Sequence, residues 1–162
     1  MSIISPLNTE KIWLEKIDIR LAQTYDERQP EDYRVDVKVD VMKREDAWAF
    51  RIRLSLDLTP APARTCRYER ISISTMGQFD LPSDAREEFV RQVVPLNCLA
   101  ILHGFSRGIV AQVTGLNDGG PVLLPAINFI EVLKSKGRKT RPARRGHEVD
   151  QPRNLAKSVT VE

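Results

Sequence analysis

Between Arg34 and Leu58 the chain carries two alternating runs back to back, and few folds other than an antiparallel hairpin accommodate them. Val35, Val37, Val39 and Val41 alternate with Arg34, Asp36, Lys38 and Asp40. A strand turns successive side chains to opposite faces, so this period of two gives one apolar face and one wet one. Met42 leads into the polar stretch Lys43-Arg44-Glu45-Asp46, which reads as a turn. Trp48, Phe50, Ile52, Leu54, Leu56 and Leu58 then alternate with Arg51, Arg53, Ser55 and Asp57. Two such runs joined by a short polar link predict a hairpin, and Pro60 and Pro62 end its second strand.

Two further strands flank the hairpin. Ile12 and Leu14 begin one, and Ile17, Ile19 and Leu21 continue it on the other parity. A bulge near Glu15-Lys16 reconciles the phases, because one extra residue in a strand shifts the alternation by one. The second runs from Cys66 to Leu81 through Tyr68, Ile71, Ile73 and Phe79, with a parity slip near Glu69-Arg70. The polar segment from Gln23 to Asp32, containing Pro30, reads as a loop.

The second half is helical in pattern. Pro82-Ser83-Asp84 followed by Glu87 and Glu88 reads as a helix start with acids in its first turn. Val94-Pro95 interrupts that helix, and a second runs over residues 96–114. Its expected apolar stripe is Leu99, Leu102, Phe105 or Ser106, Ile109 and Val113. Ala100, Gly104, Gly108 and Ala111 recur on it at spacings of four and three, a face on which another helix or sheet can come close. Gly115 ends the helix, and Asn117-Asp118-Gly119-Gly120-Pro121 makes a tight loop. Val122-Leu123-Leu124-Pro125 reads as short, extended and apolar, and Ile127 to about Lys136 as a final helix. Strands followed by helices, without alternation, predict an α+β fold: a four-stranded antiparallel sheet, then a long helix, then a short C-terminal helix.

Charge is unevenly spread. Residues 1–133 hold 16 Lys/Arg against 19 Asp/Glu, whereas residues 134–162 hold 9 against 3. A slightly acidic body thus carries a basic tail. Beyond Gly137 almost no large apolar residue remains, so residues 137–162 are expected to be disordered. No apolar run reaches the ~20 residues of a membrane span, and Met1 to Thr9 has no basic region followed by an apolar stretch. Cys66 and Cys98 lack metal-ligand spacing and read as free buried thiols. A cytoplasmic location is the expectation.

No catalytic constellation is visible in the sequence. His103 lies inside the long helix and His147 in the tail. Gly115 to Gly120 lacks the preceding strand and following Lys that phosphate binding needs. Glu87-Glu88 sits where a helix N-terminus favours acids. The tail from Lys134 to Arg145 could neutralise phosphates but has no interleaved aromatics for base stacking. A solvated tail or an acidic protein partner is the plainer reading. Neither an enzyme nor a bound cofactor is expected.

Residues 95–110 (Pro95-Leu-Asn-Cys-Leu-Ala-Ile-Leu-His-Gly-Phe-Ser-Arg-Gly-Ile-Val110) and 119–129 (Gly119-Gly-Pro-Val-Leu-Leu-Pro-Ala-Ile-Asn-Phe129) together resemble the SecB chaperone family. Phe105 and Arg107 match its helix motif, Pro125 its proline, and Ile127-Asn128-Phe129 its ending. Lys11 to Asp18 resembles the family's first strand and Met76-Gly77-Gln78-Phe79 part of its fourth, so the likeness spans about residues 11–133. The resemblance implies that residues 1–136 form a chaperone domain that assembles as a homotetramer, a dimer of dimers. It implies an ATP-independent holdase for unfolded client polypeptides: export-competent preproteins or, in SecB-like relatives, a dedicated client such as an antitoxin. An interaction module that recruits nucleic acid or an acidic protein through the tail is a further alternative. Trp13, Ile17, Ile19, Val122, Leu123 and Leu124 are the expected client-binding residues, and Ala100, Gly104, Gly108 and Ala111 the expected oligomer interface. Export members dock the SecA motor through acids on the sheet. Lys16 and Arg20 fall where two of these belong, and Ser72, with Glu69 nearby, where a third does; a positive charge at such a contact repels.

Overall fold

The computed structural model describes residues 7–28, 30–43, 49–82 and 94–139. Four strands come first: β1 (Asn8–Leu21), β2 (Tyr33–Lys43), β3 (Ala49–Pro60) and β4 (Tyr68–Asp80). They form one antiparallel sheet in the order β1-β4-β3-β2. Two helices follow, α1 (Val94–Thr114) and α2 (Phe129–Lys139). The fold is α+β, as the order of the sequence patterns predicts. Trp48 and the helix expected from Ser83 onward lie outside the described residues.

The hairpin register follows the alternation. Val35 faces Leu58, Val37 faces Leu56, Val39 faces Leu54 and Val41 faces Ile52. On the same face, Leu54, Leu56 and Leu58 of β3 stand opposite Thr75, Ile73 and Ile71 of β4. Leu54, Leu58 and Ile71 are fully buried, and burial of each such side chain contributes about 2 kcal/mol before entropy is counted. The β1 bulge is where the parity slip puts it: Leu14 pairs Thr75 and Lys16 pairs Ser74, leaving Glu15 over. A second extra residue, Glu10, falls between Thr9 and Lys11. The slip in β4 leaves Glu69 over between the partners of Arg20 and Leu21. The bulges keep Ile12, Leu14, Ile17 and Ile19 on the apolar face of the sheet.

Helix α1 crosses that face over β4 and β3. It runs antiparallel to β4: Leu102 lies over Gly77, Ser106 over Thr75 and Thr114 over Tyr68. Pro95 is tolerated because the first helical turn has no internal partner for its missing N–H. By length and composition α1 could cross a membrane, but Leu99, Leu102 and Val110 are fully buried on the sheet.

Three expectations need correcting. β4 begins at Tyr68, not Cys66; the Cys66 thiol is buried before the strand and donates to the Asp32 carbonyl at 3.3 Å. The face that α1 buries is Cys98, Leu99, Leu102, Ser106, Val110 and Thr114, while Phe105 and Val113 are exposed. Two hydroxyls of this helix face lie in the core because each is bonded there: Ser106 Oγ reaches the Leu102 carbonyl at 2.8 Å and Thr75 Oγ1 at 3.0 Å, and Thr114 Oγ1 donates to the Val110 carbonyl and accepts from Val122 N. Finally, α2 spans Phe129–Lys139 rather than Ile127 to Lys136, with the Asn128 side chain accepting from Glu131 N at its start.

Candidate functional site

The sheet has two unlike faces. The outer one, away from α1, carries the charged half of each alternation. There Arg53 grips Glu15 with two bonds of 2.7 Å, and Ser74 donates to the same carboxylate at 3.0 Å. These bonds, the Arg53 pair first, hold the Glu15 carboxyl below its usual range. Arg70 grips Asp57 the same way and lowers its pKa. Trp13 belongs to this outer face, opposite Met76, with Lys11 over its ring at 5.5 Å. Lys16 and Arg20 are there too, opposite Ser74 and Arg70, and Arg20 binds Asp18 at 3.1 Å.

The other face is apolar and only partly covered, because α1 packs on the two central strands. Ile17 and Ile19 are half-buried on it at the β1 edge, and Leu14 beside them is 38% exposed. Trp13 is therefore on the opposite side of the sheet from Ile17 and Ile19. The segment after α1 runs back along the helix. Val122 N binds Thr114 at the helix end, and Phe129 packs edge-on against His103 with ring centroids 5.7 Å apart. Val122 and Leu124 point into the core, whereas Leu123 between them is 59% exposed. Residues two apart on a helix point about 200° apart. Ile101 and Phe105 thus lie on the flank of α1 opposite His103 and this segment, and they are 38% and 36% exposed. The sequence did not place Leu14, Ile101 or Phe105 among the client-binding residues; for Ile101 and Phe105 the signal was that α1 is apolar around more than one face.

Ala100, Gly104 and Gly108 are exposed and Ala111 half-buried, and a Cβ added at Gly104 or Gly108 would meet nothing within 4 Å. The face is open within one subunit.

Below the C-terminal end of α1, three distant segments are tied together. Arg67 Nη1 donates to the Gly120 carbonyl at 2.9 Å, its Nε stands 3.5 Å from Glu31, and its guanidinium lies over the Tyr68 ring. A Cβ at Gly119 would overlap the Arg67 guanidinium, so a larger residue there would push the arginine aside. Gly120 takes a positive φ of 74°. Tyr25, Glu27, Glu31, Arg67, Asp118 and Gly119 line a polar cavity of about 270 Å³. Among the described residues no three His, Cys, Asp or Glu side chains are grouped to hold a metal ion. Cys98 is buried, and burial pushes its thiol up to about 12.

Burial lowers the pKa of His103, with Arg107 adding to the effect and the Pro125 backbone partly opposing it. Nε2 is buried without a hydrogen-bond partner among the described residues. The folded chain resists a proton that the unfolded chain accepts near pH 6.5, so stability falls as pH drops below that value. The urea midpoint should therefore decline from pH 7.5 to 5.5, and His103→Gln should flatten that decline. An equal decline in the variant would assign it to other groups.

Solved structures give a fold likeness. The chain is similar to a Mycobacterium tuberculosis SecB-like chaperone in complex with a ChAD peptide from the HigA1 antitoxin. The TM-score is 0.61 at 17% identity, covering 76% of this chain and 91% of that one. It also matches a Streptococcus agalactiae protein of unknown function at TM-score 0.43 and 19% identity, over 74% of this chain and 97% of that one. No family model and no curated protein matches the sequence.

Proposed function

We propose that this chain is a subunit of an ATP-independent chaperone that holds extended, unfolded polypeptide on the apolar face of its sheet. The observation that carries the proposal is apolar surface left open on both flanks of α1, Ile101 and Phe105 on one and Leu123 on the other. It sits in a fold similar to that of a SecB-like chaperone. Exposed apolar patches with polar rims suit clients whose common property is exposed apolar side chains. Ile17, Ile19 and Leu123 are the contacts proposed from the expected set. Val122 and Leu124 act as anchors that hold Leu123 outward, and Trp13, on the outer face, is left out of the proposed contact set. The structural neighbour's antitoxin peptide supports a dedicated client over general export, as do Lys16 and Arg20 on the face that the resemblance assigns to SecA.

Assembly through α1 belongs to the same proposal. Gly104 has open space where a side chain would go, so Gly104→Leu should leave the subunit folded while lowering the oligomer mass in light scattering.

The test of client holding is aggregation suppression of an unfolded model protein without nucleotide, at low and high salt. Chain cut after Lys139 is compared with full-length chain. Apolar binding should persist in moderate salt and survive loss of the tail, whereas tail-driven binding falls steeply with salt. Combined Ile101→Ser, Phe105→Ser and Leu123→Ser should weaken suppression about tenfold or more, since each removes tens of Å² of apolar contact. Full suppression by this triple variant, or loss of activity on cutting the tail, would overturn the proposal.

A further inference from the structure

We infer that His103 is a proton-operated latch, which fastens the segment 121–128 onto α1 when its ring is neutral and releases it when the ring is charged. The segment has no regular structure, so a few contacts hold it. Near its start the Val122 amide donates to Thr114 Oγ1 at 2.8 Å. At its other end the His103 ring meets the Pro125 backbone, and Phe129 packs edge-on against the imidazole with ring centroids 5.7 Å apart. Between these two fastenings Val122 and Leu124 are buried, while Leu123 and Pro125 face outward.

In the closed arrangement a charged ring has no place for its second proton. Nε2 is buried and has no hydrogen-bond partner among the described residues. A neutral ring tolerates this, because an unprotonated nitrogen merely goes without a donor. A protonated ring there carries both a buried charge and an unmet N–H, which costs far more. The surroundings offer no remedy. Residues Pro121 to Asn128 include no ionisable group. From α1 itself the charge that bears on the ring is Arg107, one turn on, and it repels a second positive charge. On α2, Glu131 and Lys134 are exposed. Beneath this stretch of the helix β4 presents Gly77 and Phe79, neither of which titrates. His103 lies mid-helix, beyond the reach of either end of the α1 dipole. The Pro125 backbone favours the charged form, but burial outweighs it. A protonated ring therefore gains by turning to water, and that movement withdraws it from Pro125 and Phe129 together.

Release is local. α1 keeps its own seat on the sheet through Leu99, Leu102 and Val110, so the segment can lift without opening the core. The latch does not depend on client holding, and its test uses no client. On the client-holding reading, release would add Val122 and Leu124 to the apolar surface around Leu123.

The test is thiol labelling of Leu124→Cys in the full chain, expressed as a ratio to labelling of Leu123→Cys. The exposed neighbour removes the reagent's own pH dependence from the ratio. A released His103 accepts its proton near pH 6.5 and the closed one resists it. Closure is thus complete above that value and is lost as pH falls below it. The ratio should rise about tenfold from pH 7.5 to 5.5, the limit for one proton taken up on release. His103→Gln keeps an amide donor toward Pro125 but cannot titrate, so its ratio should stay flat. Cys66 and Cys98 are buried and should remain unlabelled throughout. Hydrogen exchange at the Val122 amide, corrected for its intrinsic rate, reads the same release in the unaltered chain and covers the case that Leu124→Cys loosens the segment by itself. A Val122 protection that is unchanged between the two pH values would overturn the inference, as would an equal rise in His103→Gln. Labelling of Cys98 in step with position 124 would overturn it too, because the opening would then be global.

Discussion

Replacing Gly77 with valine should cost the fold about 3 kcal/mol, the range for overfilling a packed core. Gly77 lies on β4 beneath α1. A Cβ there would sit 2.5 Å from the Phe79 ring and 3.0 Å from Leu102 Cδ2. Both are fully buried, so neither can swing into solvent. The glycine is what lets the helix approach the sheet, and a side chain must lift α1 or push Phe79 off its rotamer. Urea unfolding of Gly77→Ala, Gly77→Val and Gly77→Ala with Phe79→Leu measures this. The alanine variant should be intermediate, and the double variant should recover part of its loss because it removes the atoms in closest contact. If Phe79→Leu deepens the loss instead, the ring is not the obstacle.

Tyr68→Phe should cost about 1 kcal/mol, the net contribution of an ordinary hydrogen bond inside a fold. The Tyr68 hydroxyl accepts from Asn117 Nδ2 at 2.7 Å and donates to the Thr114 carbonyl at 3.4 Å, and the residue is fully buried. It therefore joins the sheet both to the last turn of α1 and to the loop that follows. Losing the oxygen removes two bonds; the Thr114 carbonyl still accepts from Asn117 N at 3.1 Å, and the exposed Asn117 side chain can turn to water. The same substitution combined with Asn117→Leu should recover stability, because an apolar pair needs no partners. Equal losses in the single and double variants would place the cost in packing rather than in hydrogen bonding.

The sheet was largely legible from the chain. Alternation set the β2–β3 register, and the one-residue slips at Glu15 and Glu69 marked bulges because parity cannot change inside a regular strand. The second bulge in β1, at Glu10, left no such trace, since Asn8, Thr9, Glu10 and Lys11 carry no apolar phase to interrupt. The α1 stripe was left open between Phe105 and Ser106, and Thr114 was missed, for a related reason. Hydropathy counts a hydroxyl as wet, whereas here each finds a partner inside the core. The segment at Val122 and Leu124 is short and without regular structure, so which of its side chains points inward depends on the Thr114 bond to Val122. Arg67 and Glu31 are 36 residues apart, and no local pattern announces their meeting. Of the client-binding set, the sequence identified apolar residues near the open flanks but could not assign Trp13 to its face, which the bulge at Glu15 decides.

Those breaks in β1 also govern how far such a sheet can grow. A subunit with two regular edges has a valence of two and polymerises without limit as concentration rises. Here glutamates interrupt the β1 edge, so a strand added there would meet a ladder broken at two places, and that valence falls.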